Sequence, residues 1–245
     1  MNTGALVVLL FTAVVASIVS AVFGLAGGAI LFTVLTWVVS IKEAIPIHSG
    51  VQLIGNTSRV FVYIKAIRWD IVARFAILLI PGAYLGGLFF GVLPPLLLEF
   101  LVGAFIMTTV LLPKQENKSV NPNIFIGLGF VSSFLGMIVA VTGPFIASFF
   151  MFNNVTKEAL VGTKSVCQAL TQCSKILVFS SVMHFDFYQY TQVLILLGSM
   201  AIVGTFIGKK IIGKISDKNY HQLNNLLLGT IALSMMLKAI LTFLF

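Results

Sequence analysis

The sequence predicts an all-α polytopic membrane protein made of two inverted repeats of about five hydrophobic segments each, with short broken helices after glycine breaks. Three observations predict it. Of the 245 residues, 59% are hydrophobic and 9% are charged, whereas a soluble domain carries roughly 25% charged residues. Apolar runs of about 18 to 25 residues recur from end to end, long enough to cross a bilayer as helices. They are continuous and do not alternate, which selects helices over a closed barrel, the other fold that satisfies its backbone in lipid. Finally, the second half repeats the pattern of the first.

Ten segments follow in order, at roughly 4–23, 28–40, 43–65, 71–91, 95–112, 123–140, 143–153, 157–183, 188–211 and 219–244. The first lacks a basic flank and a small-residue cleavage site, so it reads as a retained helix and not a signal peptide. The second and seventh are too short for a hydrocarbon core of about 30 Å at a rise of about 1.5 Å per residue. Each follows a glycine break, "FGLAGGAI" at 23–30 and "VAVTGPFI" at 139–146. Glycine frees the backbone there, and Pro144 stands where a proline opens a helix. The third segment contains "HSGVQLIGNTSR", in which His48, Gln52, Asn56 and Arg59 are spaced by four, four and three. That spacing puts all four on one helical face.

The eighth segment matches the third. "KEAIPIHSGVQLIGNTSRV" at 42–60 pairs with "KEALVGTKSVCQALTQCSKI" at 157–176, at an offset of 115 that becomes 116 after one inserted residue. His48 then aligns with Lys164, Gln52 with Gln168, Asn56 with Gln172 and Arg59 with Lys175, while Gly28 falls on Gly143. The repeats span 1–112 and 123–245, joined by a cytoplasmic linker over 113–122. Because five is odd, the second repeat is inverted and related residues sit at mirrored depths. Gln52 and Gln168 fall near mid-membrane. Arg59 and Lys164 point toward one vestibule, His48 and Lys175 toward the other.

The formal net charge is +8. In a soluble protein this would point to nucleic acid. Here the loops hold most of the charge and follow the positive-inside rule, so no nucleic-acid partner is expected. If every segment crosses, Lys65, Arg68, Arg74, Lys114, Lys118, Lys157, Lys209, Lys210, Lys214 and Lys218 share one side and Lys42 lies on the other. The basic side is then cytoplasmic, with both termini outside the cell membrane. Lys238 stands alone near a helix end and reads as a snorkelling anchor. Cys167 and Cys173, six apart in one helix with no metal-ligand spacing, read as buried structural thiols. His48, His184 and His221 form neither a metal motif nor a nucleophile–base pattern, so no enzyme, metal or cofactor is expected.

What would the polar faces do? Ser49, Ser165 and Ser58 suffice as helix glue, at about 0.6 kcal/mol per hydrogen bond. A central Arg or Lys costs roughly 2.5–3.5 kcal/mol, which snorkelling relieves only in part. Its repetition on one face marks a pathway. No acidic residue lies deep in any segment: Glu43 and Glu158 are at helix starts and Glu99 about one turn into its helix. A basic, amide-rich path suits a small anion, and free N–H groups at the breaks add to it. The candidate binding residues are Gly27, Gly28, Gln52, Asn56, Arg59, Thr142, Gly143, Gln168, Gln172 and Lys175. His48 and Lys164 serve the vestibules, and His48 is the candidate carrier of a coupling proton. Two halves rocking about such a site would make a secondary transporter. An anion channel, or a carrier of another carboxylate or oxyanion, would use the same lining. A scaffold would not need two matched basic faces.

The glycine break after the first helix, its second copy, the polar helix that follows, and the "GxxxG"-like stretches "PGAYLGGLFFG" at 81–91 and "VGTFIGKK" at 203–210 together resemble the TauE/SafE sulfite exporter family. The resemblance covers nearly the whole chain. The first break, "GLAGG", is one glycine short of the family's triplet, and the second, "VAVTGP", keeps a single glycine. The resemblance implies a carrier of a small anion such as sulfite, a sulfonate or sulfoacetate.

Overall fold

The computed structural model describes residues 3–23, 27–111, 121–150 and 156–212, with positions 226, 229–230, 233–234 and 237. Most of the linker and of the tenth segment lie outside the described residues, as do positions 24–26 of the first break. Lys114, Lys118, Lys214, Lys218, His221 and Lys238 lie outside them too.

The regular structure among the described residues is all helical, joined by short turns. The helices are α1 (Thr3–Phe23), α2 (Gly27–Val38), α3 (Ile41–Tyr63), α4 (Trp69–Ala76), α5 (Leu79–Val92), α6 (Pro95–Leu111), α7 (Ile124–Val139), α8 (Gly143–Phe150), α9 (Lys157–Ser181) and α10 (Thr191–Ile212). Short 3-10 turns, Ile64–Ala66 and Phe187–Tyr190, follow α3 and precede α10. Caps fix where the two polar helices begin. Ser40 donates from both its N–H and its hydroxyl to Glu43 at the start of α3, and Thr156 accepts from Ala159 N at the start of α9. Each satisfies donors that a helix start otherwise leaves unpaired.

Packing between helices repeats from half to half. Gly204 and Gly208 of α10 sit on the α1 backbone at Val14 and Ile18, so these helices run parallel. In the same way Gly82 and Gly86 of α5 sit on α7 at Phe130 and Phe134. A Cβ on Gly86 or Gly204 would stand 2.5 Å from a carbonyl oxygen. Glycines four apart permit this approach, the usual way helices associate where lipid removes the hydrophobic drive. Then α10 lies along α3, Gly198 against Ile54, while α5 lies along α9, Gly87 against Val178. At the centre α3 and α9 pack antiparallel, with Tyr63 near the end of α3 on Gly162 near the start of α9.

These directions sort the charges. The ends of α3 and α10 coincide, bringing Lys65 and Arg68 to the same end as Lys209 and Lys210. Arg74 joins that end through α4, where Arg68 and Asp70 pair at 2.9 Å and Arg74 donates to the Asp70 carbonyl at 2.8 Å. Lys42 lies at the opposite end, beside Gly91 O and the Phe90 ring.

Among the described residues two helical stretches, Thr3–Val22 and Phe187–Ile211, are long and apolar enough to cross a membrane, and the bent pair of α4 and α5 is a third if taken as one span. The sequence predicts a fourth segment at roughly 71–91. In the structure it is two helices, α4 and α5, bent by 47°, with Gly129 of α7 against the Phe75 backbone beside the break. At 23 and 25 residues, α3 and α9 reach roughly 35 and 38 Å. Their polar faces, not their lengths, keep them from reading as ordinary spans. One expectation about the thiols needs correction: Cys167 is buried, but Cys173 is exposed on the outer side of α9.

Candidate functional site

A cavity lies where the two breaks meet the two polar helices. It is lined by Ser20 of α1, Gly28 of α2, His48, Gln52 and Arg59 of α3, the stretch Ala140 to Gly143, and Val161, Lys164, Ser165, Gln168 and Gln172 of α9. The void leaves about 20 Å³ for the centres of water molecules, against about 10–15 Å³ for a single water. In this conformation it has room for about one or two waters.

Nine of the twelve residues singled out from the sequence share this lining: Gly28, Gln52, Thr142, Gly143, Gln168, Gln172, Arg59, His48 and Lys164. Three do not. Gly27 faces α1, where a Cβ would collide with Ala16 O and Ser20. Asn56 sits behind Arg59, accepting its Nη2–H at 2.6 Å. Lys175 lies beyond the lining, its stem against Gly136 of α7. Sequence reasoning missed Ser20, Ala140, Val141 and Val161. A lone serine or valine in an apolar run carries no signal.

The first break is pinned to α3. His48 Nε2 lies 2.9 Å from Gly28 O and 3.2 Å from Gln52 Nε2. A carbonyl can only accept, so Nε2 carries the proton and donates to it. Nδ1 faces inward, buried and without a partner. A Cβ on Gly28 would meet the Gln52 amide nitrogen at 2.9 Å, so the Gln52 side chain would have to shift to admit one. The second break is held differently. Ala140 has φ 59°, and Val141 N donates to Val139 O at 2.6 Å. That is a tight three-residue turn in a region alanine disfavours. It delivers Thr142 and Gly143 to the cavity at the start of α8.

Electrostatically the site is a cluster of buried positive groups. Arg59, Lys164 and Lys175 are 4%, 3% and 0% exposed. None of them forms an ion pair among the described residues, where the only acid so engaged is Asp70 at the surface. The Arg59 charge reaches Lys164, and the Lys175 charge reaches His48. Lys175 Nζ and Gln172 Oε1 have no hydrogen-bond partner. Removing a charge from water costs several kcal/mol unless a partner compensates it. Such a cluster can be compensated by negative charge brought to it.

The family model described as "Sulfite exporter TauE/SafE" matches residues 9–235 of this chain. No match was found among curated proteins or among solved structures.

Proposed function

Since the chain belongs to the TauE/SafE sulfite exporter family, a family of helical membrane transporters, we propose that it is a secondary transporter of a small anion: sulfite, a sulfonate or a related sulfur-containing organic anion. The observation that carries this reading is the buried Arg59–Lys164 pair, open to a compact polar cavity that no carboxylate lines among the described residues. The anion binds between the breaks. Arg59 and Lys164 neutralise it, while Gln52, Gln168 and Gln172 offer amide hydrogen bonds. Thr142 and Gly143 add donors where α8 begins. Ser20 and Ser165 supply hydroxyls from the facing walls. Lys175 and His48 take the anion over when the other vestibule opens, with Asn56 holding the Arg59 guanidinium in place.

Alternating access between two inverted repeats is the proposed mechanism. It is supported by the antiparallel α3–α9 pair and by the matched packing of α10 on α1 and α5 on α7. The protein sits in the cell membrane with its basic end, Lys65 to Arg74 and Lys209 to Lys210, in the cytoplasm and both termini outside.

The test uses purified protein in liposomes. Thermal shift and uptake are measured with sulfite, sulfate, thiosulfate, sulfoacetate and taurine, with acetate as control. One sulfur anion is expected to stabilise the protein and to be taken up saturably, and Arg59→Ala should remove both effects without unfolding it. Binding of a cation instead, or anion binding untouched by Arg59→Ala, overturns the reading. Non-saturating flux without counterflow would turn the carrier into a channel.

A further inference from the structure

Two tyrosine–glutamate pairs occupy opposite ends of the central helices, in opposite states. At one end Tyr190, just before α10, donates its hydroxyl to Glu43 Oε1 at 2.6 Å, a bond between residues 147 positions apart and from different halves. Glu43 Oε2 is taken by Ser40, so both carboxylate oxygens are engaged. Behind the bond, Phe185 stacks on the Tyr190 ring at 5.4 Å with planes 12° apart, and meets Phe187 edge-on at 4.9 Å. All three rings pack against the main core. This end is shut.

The other end has the same parts unjoined. Tyr63 closes α3 and lies on Gly162 of α9, one helical turn from Glu158. Its hydroxyl is buried without a hydrogen-bond partner. Glu158 is exposed, and its charge reaches Tyr63. Glu43 and Glu158 are the acids of the two "KEA" openings, so the repeat relates them. The cavity follows the same asymmetry. Along α3 it runs from His48 to Arg59, one turn short of Tyr63, and along α9 from Val161 to Gln172. Nothing on the Tyr190 side of His48 lines it on α3. A buried hydroxyl left unpaired is unfavourable, so a state that lacks the Tyr63–Glu158 bond has a natural counterpart that makes it.

We infer that these pairs are alternating latches on the cavity: Tyr190–Glu43 shuts one end in the conformation described here, and Tyr63–Glu158 shuts the other end once the first has opened. This rests on the alternating-access reading above. The two bonds then exclude each other, and each tyrosine carries the vote of one conformation.

Opposite shifts test it. The full chain is reconstituted in liposomes, its amide exchange is followed by mass spectrometry, and sulfite and thiosulfate flux are measured in parallel. Tyr190→Phe should speed exchange around 40–48 and 183–190 and slow it around 59–68 and 157–164, each by about tenfold, as for loss of a charge-assisted hydrogen bond. Tyr63→Phe and Glu158→Gln should do the reverse. Glu158 is exposed, so that variant keeps the fold and decides the matter if Tyr190→Phe does not fold. Shifts in the same direction, or none, overturn the latches. If wild type carries an anion and the variants shift nothing, the latches alone fail. If no anion binds or moves, the transporter reading fails with them.

Discussion

A single side chain poses the sharpest energetic question in this molecule. Lys175 is 0% exposed, and its ammonium has no hydrogen-bond partner. Stability alone would favour an apolar residue of the same length, since exchanging buried ionic groups for well-packed apolar ones is often stabilising. Lys175→Met is therefore expected to raise the melting temperature by a few degrees while cutting anion flux by tenfold or more. A differential scanning run beside a flux assay checks both, and a lower melting temperature would make Lys175 a structural residue. How legible this was depends on the kind of signal. Basic and amide residues spaced by four, four and three announce a helical face directly, so His48, Gln52 and Arg59 were readable. Ser20 and Ala140 were not. A serine in an apolar helix has no periodic partner, and alanine at φ 59° occupies a conformation its type does not advertise.

Among the elements, the glycine pairs decide how the helices meet. Gly204 and Gly208 bring α10 onto α1, and Gly82 and Gly86 bring α5 onto α7. At Gly204 a side chain has no room, since its Cβ would stand 2.5 Å from Val14 O and 2.7 Å from the Ser17 side chain. Both neighbours belong to a helix that cannot move without disturbing the rest. Gly204→Leu should destabilise by more than the roughly 1–3 kcal/mol of a typical overpacked site, and is expected to abolish the folded, detergent-soluble peak in size exclusion. Gly127→Leu is the matched control. Nothing lies within 4 Å of its Cβ position, so that variant should elute like wild type. The two "GxxxG"-like stretches were visible in sequence, but the helices they would meet were not. Spacing names one side of a contact and leaves its partner to the tertiary fold. The bend between α4 and α5 was legible in principle, because it falls at Ile77 and Leu78, just ahead of Pro81, whose missing N–H and ring leave the Ile77 carbonyl without its helical partner.

At the scale of the whole molecule, two independent lines support the proposed orientation. Segment parity puts the basic residues on one side by counting. Helix packing puts Lys65 and Arg68 with Lys209 and Lys210 through the parallel course of α3 and α10, and leaves Lys42 at the far end of α3. The positive-inside rule then supplies the sign that neither gives. Single cysteines at Lys65, Lys209 and Lys42 test this in sealed right-side-out vesicles, with Cys173, which is exposed, changed to serine. A membrane-impermeant maleimide should label only the Lys42 position from outside. The Lys65 and Lys209 positions should react only after the vesicles are opened. Should the Lys65 and Lys42 positions label from the same side, α3 does not cross. The mirrored placement of Arg59 and His48 along it would then lose its meaning, and with it the two-vestibule mechanism. Should the pattern come out reversed, α3 still crosses and the mechanism stands, but the basic end faces outward.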